Sequence, residues 1–136
     1  MHLDLAHNSS SRVALPGGNV TAATTGPALE LANFRATLFL LAITTAGGDI
    51  TVDFEESDTA GGAYTPVPDA QTVLTGALDG TVKKFQLDNS PRRRFVRAVV
   101  TPAAASQISM TATLYRPDDT RYGLTTEDEP EIFLIQ

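Results

Sequence analysis

Apolar and polar residues take turns along Asp49–Glu55: Ile50, Val52 and Phe54 alternate with Thr51, Asp53 and Glu55. That two-residue period predicts a strand with one buried face, because a helix would set Val52 opposite Ile50 and Phe54. The same period recurs where Ile108, Met110, Ala112 and Leu114 interleave with Ser109, Thr111, Thr113 and Tyr115. Arg94–Thr101 reads as a further strong strand, stopped by Pro102. Leu38–Ile43 is apolar at consecutive positions, as expected of a central strand covered on both faces. Its Ala and Leu residues also permit a helix. The Thr44–Gly48 stop and the alternating strand that follows favour a hairpin joining Phe34–Ile43 to Ile50–Glu55.

Shorter strands are predicted at Gln71–Leu74 and Val82–Leu87, with Asp79-Gly80 turning the chain between them. Pro66 and Pro68 confine Tyr64–Pro68 to an edge or loop. Asn89-Ser90-Pro91, Pro102 and Pro117-Asp118-Asp119 end further segments, and Glu131–Ile135 forms a last strand. Short strands with a turn signal about every ten residues predict an all-β fold, an antiparallel β-sandwich or flattened barrel. Residues 1–26 differ from the rest, being rich in Ser, Thr, Ala, Asn and Gly with a break at Pro16-Gly17-Gly18. They are expected to form an extended N-terminal arm ahead of a β-sandwich domain over residues 27–136. Within the arm, Arg12–Leu15 and Asn19–Thr21 can order as an edge strand against a partner, or the segment can fray.

At 136 residues the chain is one domain with room for a core that needs no cross-links. It has no Cys, which excludes disulfides and thiolate metal sites. The longest apolar run falls far short of a membrane span, and no signal-peptide pattern opens the chain. A net charge of −6 argues against nucleic-acid binding. The charge is unevenly placed, with Arg92, Arg93, Arg94 and Arg97 in one segment and Glu127, Asp128, Glu129 and Glu131 near the C-terminus.

No catalytic, metal or cofactor constellation is expected. His2 and His7 lie in the arm at a spacing unlike a helical metal pair. Asp53, Glu55, Glu56 and Asp58 are the densest acidic group beside a strong strand, and paired carboxylates can serve glycoside hydrolysis or hold calcium. They lack EF-hand spacing, however, and a solvent face is expected to carry acids. Asn8-Ser9-Ser10 and Asn19-Val20-Thr21 match a short glycosylation pattern that often arises by chance. Arg92, Arg93 and Arg94 are either a solvated turn or a contact with an acidic partner surface. Ile132, Phe133, Leu134 and Ile135 either close their own sheet or add to the edge of a neighbour's. With Arg12, Val13, Leu15 and Val20 of the arm, these two groups are the candidate partner-binding residues.

Several blocks together resemble small virion structural proteins of tailed bacteriophages: Leu29–Phe39, Asp53–Asp58, Tyr64–Val67 and Arg94–Pro102. The likeness spans about Leu29 to Leu114, and Thr59-Ala60-Gly61-Gly62 departs from it where an acidic Asp-Gly turn is common. It implies a protein of the particle, and most specifically a head decoration (cement) protein on the capsid exterior. Such a protein would be made in the host cytoplasm, would bind the major capsid protein and would self-associate, with a trimer favoured. No nucleic acid or membrane partner is implied. The alternatives are a neck, tail or baseplate accessory protein, a carbohydrate-binding module, and a hydrolase using Asp53 and Glu55. A sugar-binding module is disfavoured by the lack of Trp and the scattered Tyr64, Tyr115 and Tyr122.

Overall fold

The computed structural model describes residues 9–116 and the backbone of 132–135. Among these residues eleven strands follow in order, many of them short: β1 Ser9–Val20, β2 Thr24–Thr25, β3 Leu29–Glu30, β4 Ala36–Thr45, β5 Ile50–Ser57 and β6 Thr65–Pro66. The rest are β7 Thr72–Leu74, β8 Thr81–Asp88, β9 Phe95–Pro102, β10 Ser106–Tyr115 and β11 Ile132–Ile135. They build two sheets packed face to face, the expected β-sandwich. One sheet has the order β1-β10-β4-β8-β11. The other is centred on β9 and β5, flanked by β2 and β3 on one side and by β6 and β7 on the other.

The period-two patterns set the sides. On β4 the buried positions are Thr37, Phe39, Leu41 and Ile43; on β5 they are Ile50, Val52, Phe54 and Glu56, with Ser57 also buried at the strand's end. Inward side chains of both sheets form one core, in which Phe54 meets Phe39 at 4.6 Å and Phe85 at 5.8 Å between ring centroids. Tilted and edge-on ring pairs of this kind add to the gain from area burial. Leu38, Leu40 and Ala42, on the opposite side of β4, are only half-buried. The strand is central, then, but its outward face is less covered than the continuous apolar run suggested.

The β4–β5 hairpin does not form. β4 pairs with β10 and β8, whereas β5 pairs with β9, β6 and β7. Ala46–Asp49 carries the chain from one sheet to the other, so Phe39 and Phe54 face each other across the core instead of lying side by side. The physical reason is that β4 is apolar enough to be flanked by two long strands, with β8 supplying inward Phe85 and Leu87 and β10 supplying Ile108, Met110, Ala112 and Leu114. The arch is pinned by the Ala46 amide donating to Asp79 Oδ1 at 2.7 Å and the Ala103 amide donating to the Asp49 carbonyl at 2.8 Å. Opposite it, Gly80 turns the chain into β8 with φ 72 and donates to the Ile43 carbonyl at 2.8 Å.

Residues 9–20 pair antiparallel with β10 along its whole length, through two register shifts around Leu15. Ala14, Leu15 and Val20 enter the core. The chain then crosses to the second sheet at Gly26, whose amide donates to Ala98 O at 2.8 Å. A Cβ at Gly26 would lie 1.7 Å from the Ala14 carbonyl oxygen, so no other residue fits this crossing. β11 pairs parallel with β8, the single parallel pair among the described residues of an otherwise antiparallel molecule.

Candidate contact surfaces

The arginine run is held by the protein itself. Arg92 Nη1 donates to Glu56 Oε2 at 3.1 Å, with the two side chains only 6% and 10% exposed. Arg93 reaches the same carboxylate at 3.7 Å and Asp58 at 3.1 Å. Arg94 clasps Glu30 at 2.6 Å, and Arg97 pairs with Glu55 at 2.8 Å. The Arg97 guanidinium also lies 3.8 Å over the ring of Tyr64, whose hydroxyl donates to the Ala60 carbonyl at 2.7 Å. The turn from β8 to β9 is thereby bolted to the end of β5 and to the loop after it. Asn89 sits at its base: the side chain accepts from Thr37 Oγ1 at 2.9 Å and donates to the Phe34 carbonyl at 3.2 Å.

This network resolves the acidic group as well. Glu55, Glu56 and Asp58 are each neutralised by arginine, and Asp53 accepts from its neighbour's amide at 2.8 Å. Asp53 and Glu55 do share the outward face of β5, as their spacing requires, but each is already engaged, by the Phe54 amide and by Arg97. Among the described residues, no group of three or more His, Cys, Asp or Glu side chains converges. The pocket described, of about 300 Å³, is an open groove between the β4–β5 and β7–β8 loops lined by Ala46, Gly48, Gly76, Ala77, Leu78 and Asp79. Asp79 is its single ionisable group, and its carboxylate already accepts from the Ala46 amide.

The other candidates scatter. Leu15 and Val20 lie in the core and present nothing outward. Arg12 is exposed on β1, donating to Ser10 Oγ and to the Ser11 carbonyl, and Val13 is 54% exposed. Ile132–Ile135 pair in register with Lys84–Leu87 of β8. His2, His7, Asn8, Tyr122 and the acidic residues Glu127–Glu131 lie outside the described residues, while Asn19 is exposed on β1.

The surface that stands out was not singled out from the sequence. On the β1-β10-β4-β8 sheet, the outward row of β4 is Ala36, Leu38, Leu40 and Ala42. Cross-strand pairing sets Leu40 between Thr111 and Lys84, and Ala42 between Ser109 and Val82. Val13 joins through Thr111. Among the described residues, two of the three large exposed hydrophobics, Val13 and Val82, are on this face. Its charged outward positions in these four strands are Lys84 and Asp88, both on β8. Gln86, beside Leu38, has a buried Oε1 that accepts no hydrogen bond. The opposite sheet's outer face instead carries Asp53 and the Glu55–Arg97 and Glu30–Arg94 pairs. Burial raises the pKa of Tyr115, at the margin of the neutral face, above the ordinary tyrosine value.

The sequence matches no protein-family model and no curated protein. Among solved structures the fold is similar to that of the SPBc2 prophage-derived protein YomS, at 13% identity and a TM-score of 0.50, over 79% of this chain and 92% of that one. A subunit of the disulfide-linked pili of Bacillus endospore appendages aligns at 18% identity and a TM-score of 0.48, covering 81% of this chain and 90% of that one. A chain of infectious bursal disease virus, Gx strain, aligns at 11% identity and 0.46, covering 82% of this chain and 33% of that one. At such identities the likeness is one of architecture: a two-sheet sandwich built from about the same number of residues as YomS.

Proposed function

We propose that the protein is a structural component of a phage particle, a head decoration protein that lies on the capsid exterior and bridges major capsid subunits without catalysing a reaction. The observation that carries this reading is the sorting of charge between the two outer faces. Among the described residues, Arg94 and Arg97 pair with Glu30 and Glu55 on the outer side of one sheet, while the other sheet's outer face carries Lys84 and Asp88 as its charged positions and half-buried Leu38, Leu40 and Ala42 along its middle. A nearly neutral, partly apolar face is where another protein can approach without charge repulsion. The resemblance of Leu29–Leu114 to phage virion proteins and the fold shared with a prophage-derived protein support the same reading.

Size bears on mechanism. Four strands spaced about 4.8 Å apart, each with about eight residues at 3.3 Å, span on the order of 500 Å². A stable interface buries about 800 Å² per partner, so one face attaches weakly. Attachment then depends on many copies acting together, as an oligomer or across the repeating lattice of a shell, where linked weak contacts multiply. The test is to add purified protein to capsids that lack it and to count bound copies by quantitative mass spectrometry. Decoration predicts hundreds of copies per particle and a higher temperature of shell rupture. A handful of copies would assign the protein to a neck, tail or baseplate position, and no binding would reject the particle role.

A further inference from the structure

The edges of the two sheets differ in how they are protected. β1 is broken by Pro16, Gly17 and Gly18 and by two register shifts. The margins of the second sheet are β2, β3, β6 and β7, of two or three residues each. Short, bulged or proline-bearing edges are poor templates for a further strand. β8 is the exception among the described strands: eight residues, paired with β4 through Ala36–Asp88 to Ile43–Thr81 without a shift, and so a regular ladder on its other side.

That clean edge is covered over Lys84–Leu87 by the four-residue β11 and by no other described strand. β11 comes to it unlike any other strand. Links elsewhere are three to seven residues long, but sixteen residues separate Tyr115 from Ile132. In the sheet, β11 lies three strand spacings from β10, about 14 Å, and starts about four residues back along β8. A path of roughly 20 Å suffices, whereas sixteen residues extend to about 50 Å. The link is long enough to deliver β11 to another molecule's β8 as readily as to its own.

We infer that β11 is exchanged between copies, with Ile132–Ile135 of one chain pairing in parallel on Lys84–Leu87 of another. The occupant is a second copy because the sequence that fits the edge is already known from the pairing within the chain, and an identical chain carries an identical strand. Exchange replaces each contact by the same contact, so it costs little enthalpy, and a long link removes the strain that would oppose it. It turns weakly attaching single sandwiches into linked sets of neutral faces, which is what the proposed attachment to a shell requires. The inference rests on that reading for its purpose only, since exchange can be measured on the isolated protein.

The chain has no cysteine, so introduced thiols report cleanly. Gln86 and Leu134 are registered partners, and adjacent parallel strands lie about 4.8 Å apart, within the Cα range a disulfide spans. The single variants Gln86→Cys and Leu134→Cys are co-expressed, oxidised and run on a non-reducing gel beside the double variant, with the bridge assigned by peptide mass spectrometry. Circular dichroism verifies that each variant is folded. Exchange predicts 86–134 bridges between two chains in the co-expressed singles, and covalent dimers or larger species from the double variant. A double variant that closes only within one chain, with no mixed bridge from the singles, overturns exchange. So does the absence of any 86–134 bridge in folded protein. Neither result bears on whether the protein binds capsids.

Discussion

Replacing Glu56 with alanine tests whether the arginine run serves the fold. Arg92 is 6% exposed, Glu56 10%, and Arg92 Nε already lacks a hydrogen-bond partner. Taking away the carboxylate leaves a buried guanidinium with neither a counter-charge nor its Nη1 acceptor. Breaking a buried pair from one side costs about 3–5 kcal/mol, because the surviving charge stays desolvated. For a domain of this size that is a fall in melting temperature of about 10–18 °C. Glu55→Ala is the internal comparison: Glu55 and Arg97 are 26% and 32% exposed, and Arg97 keeps the Tyr64 ring. Solvent-screened pairs of that kind contribute about 0.2–1 kcal/mol. Urea unfolding followed by circular dichroism separates the two. A third variant, Glu56→Leu with Arg92→Leu, removes both charges and is expected to recover most of the loss, since apolar pairs often replace buried ion pairs at no cost. Equal losses for Glu56→Ala and Glu55→Ala, or no recovery in the double variant, would refute the reasoning.

Phe54→Ala empties the centre of the Phe39–Phe54–Phe85 cluster and should cost about 3–5 kcal/mol in urea unfolding. Gly26→Ala drives a methyl into the Ala14 carbonyl and should destabilise by at least about 2 kcal/mol, whereas Gly61→Ala, with open space around it, should leave the midpoint unchanged. Deleting residues 1–26 removes Ala14, Leu15 and Val20 from the core and uncovers β10, so proteolysis and circular dichroism should report an unfolded or aggregated protein. Tyr115, with its pKa raised by burial, favours the folded state while neutral; that contribution holds below the unfolded tyrosine pKa and fades as pH rises through the folded value. Ultraviolet titration should show the Tyr115 phenol ionising late, and Tyr115→Phe should remove that step.

Strands with one wet face were legible in the sequence. β5 and β10 fall where alternation puts them, because period two and half-burial have the same cause. Pairing was not legible from the turn between β4 and β5. A short Gly-rich link serves equally to reverse a strand within one sheet or to arch it over the core, and the choice rests on β8 and β10, distant in sequence. β1 hid its inward residues because Pro16-Gly17-Gly18 breaks the period between Leu15 and Val20. The direction of β11 left no trace in its composition. Arg92–Arg97 declared their charge but not their partners. Those follow once Glu55 is known to oppose Arg97, since that register carries Glu56 and Asp58 toward the arginines of the preceding turn. The neutral face was masked by Leu38–Ile43, whose unbroken apolar run read as burial on both sides when half of it faces outward.

Co-sedimentation with undecorated capsids of Leu40→Glu, set against Thr101→Glu, tests the contact face most directly. Leu40 lies at the middle of the neutral face and Thr101 is exposed on the outer face of the other sheet. Both variants should fold with midpoints near that of the parent protein. Leu40→Glu should stay in the supernatant while Thr101→Glu pellets with the shells as the parent does. If Leu40→Glu pellets undiminished, or Thr101→Glu is the variant left behind, the neutral face is not what the protein binds with.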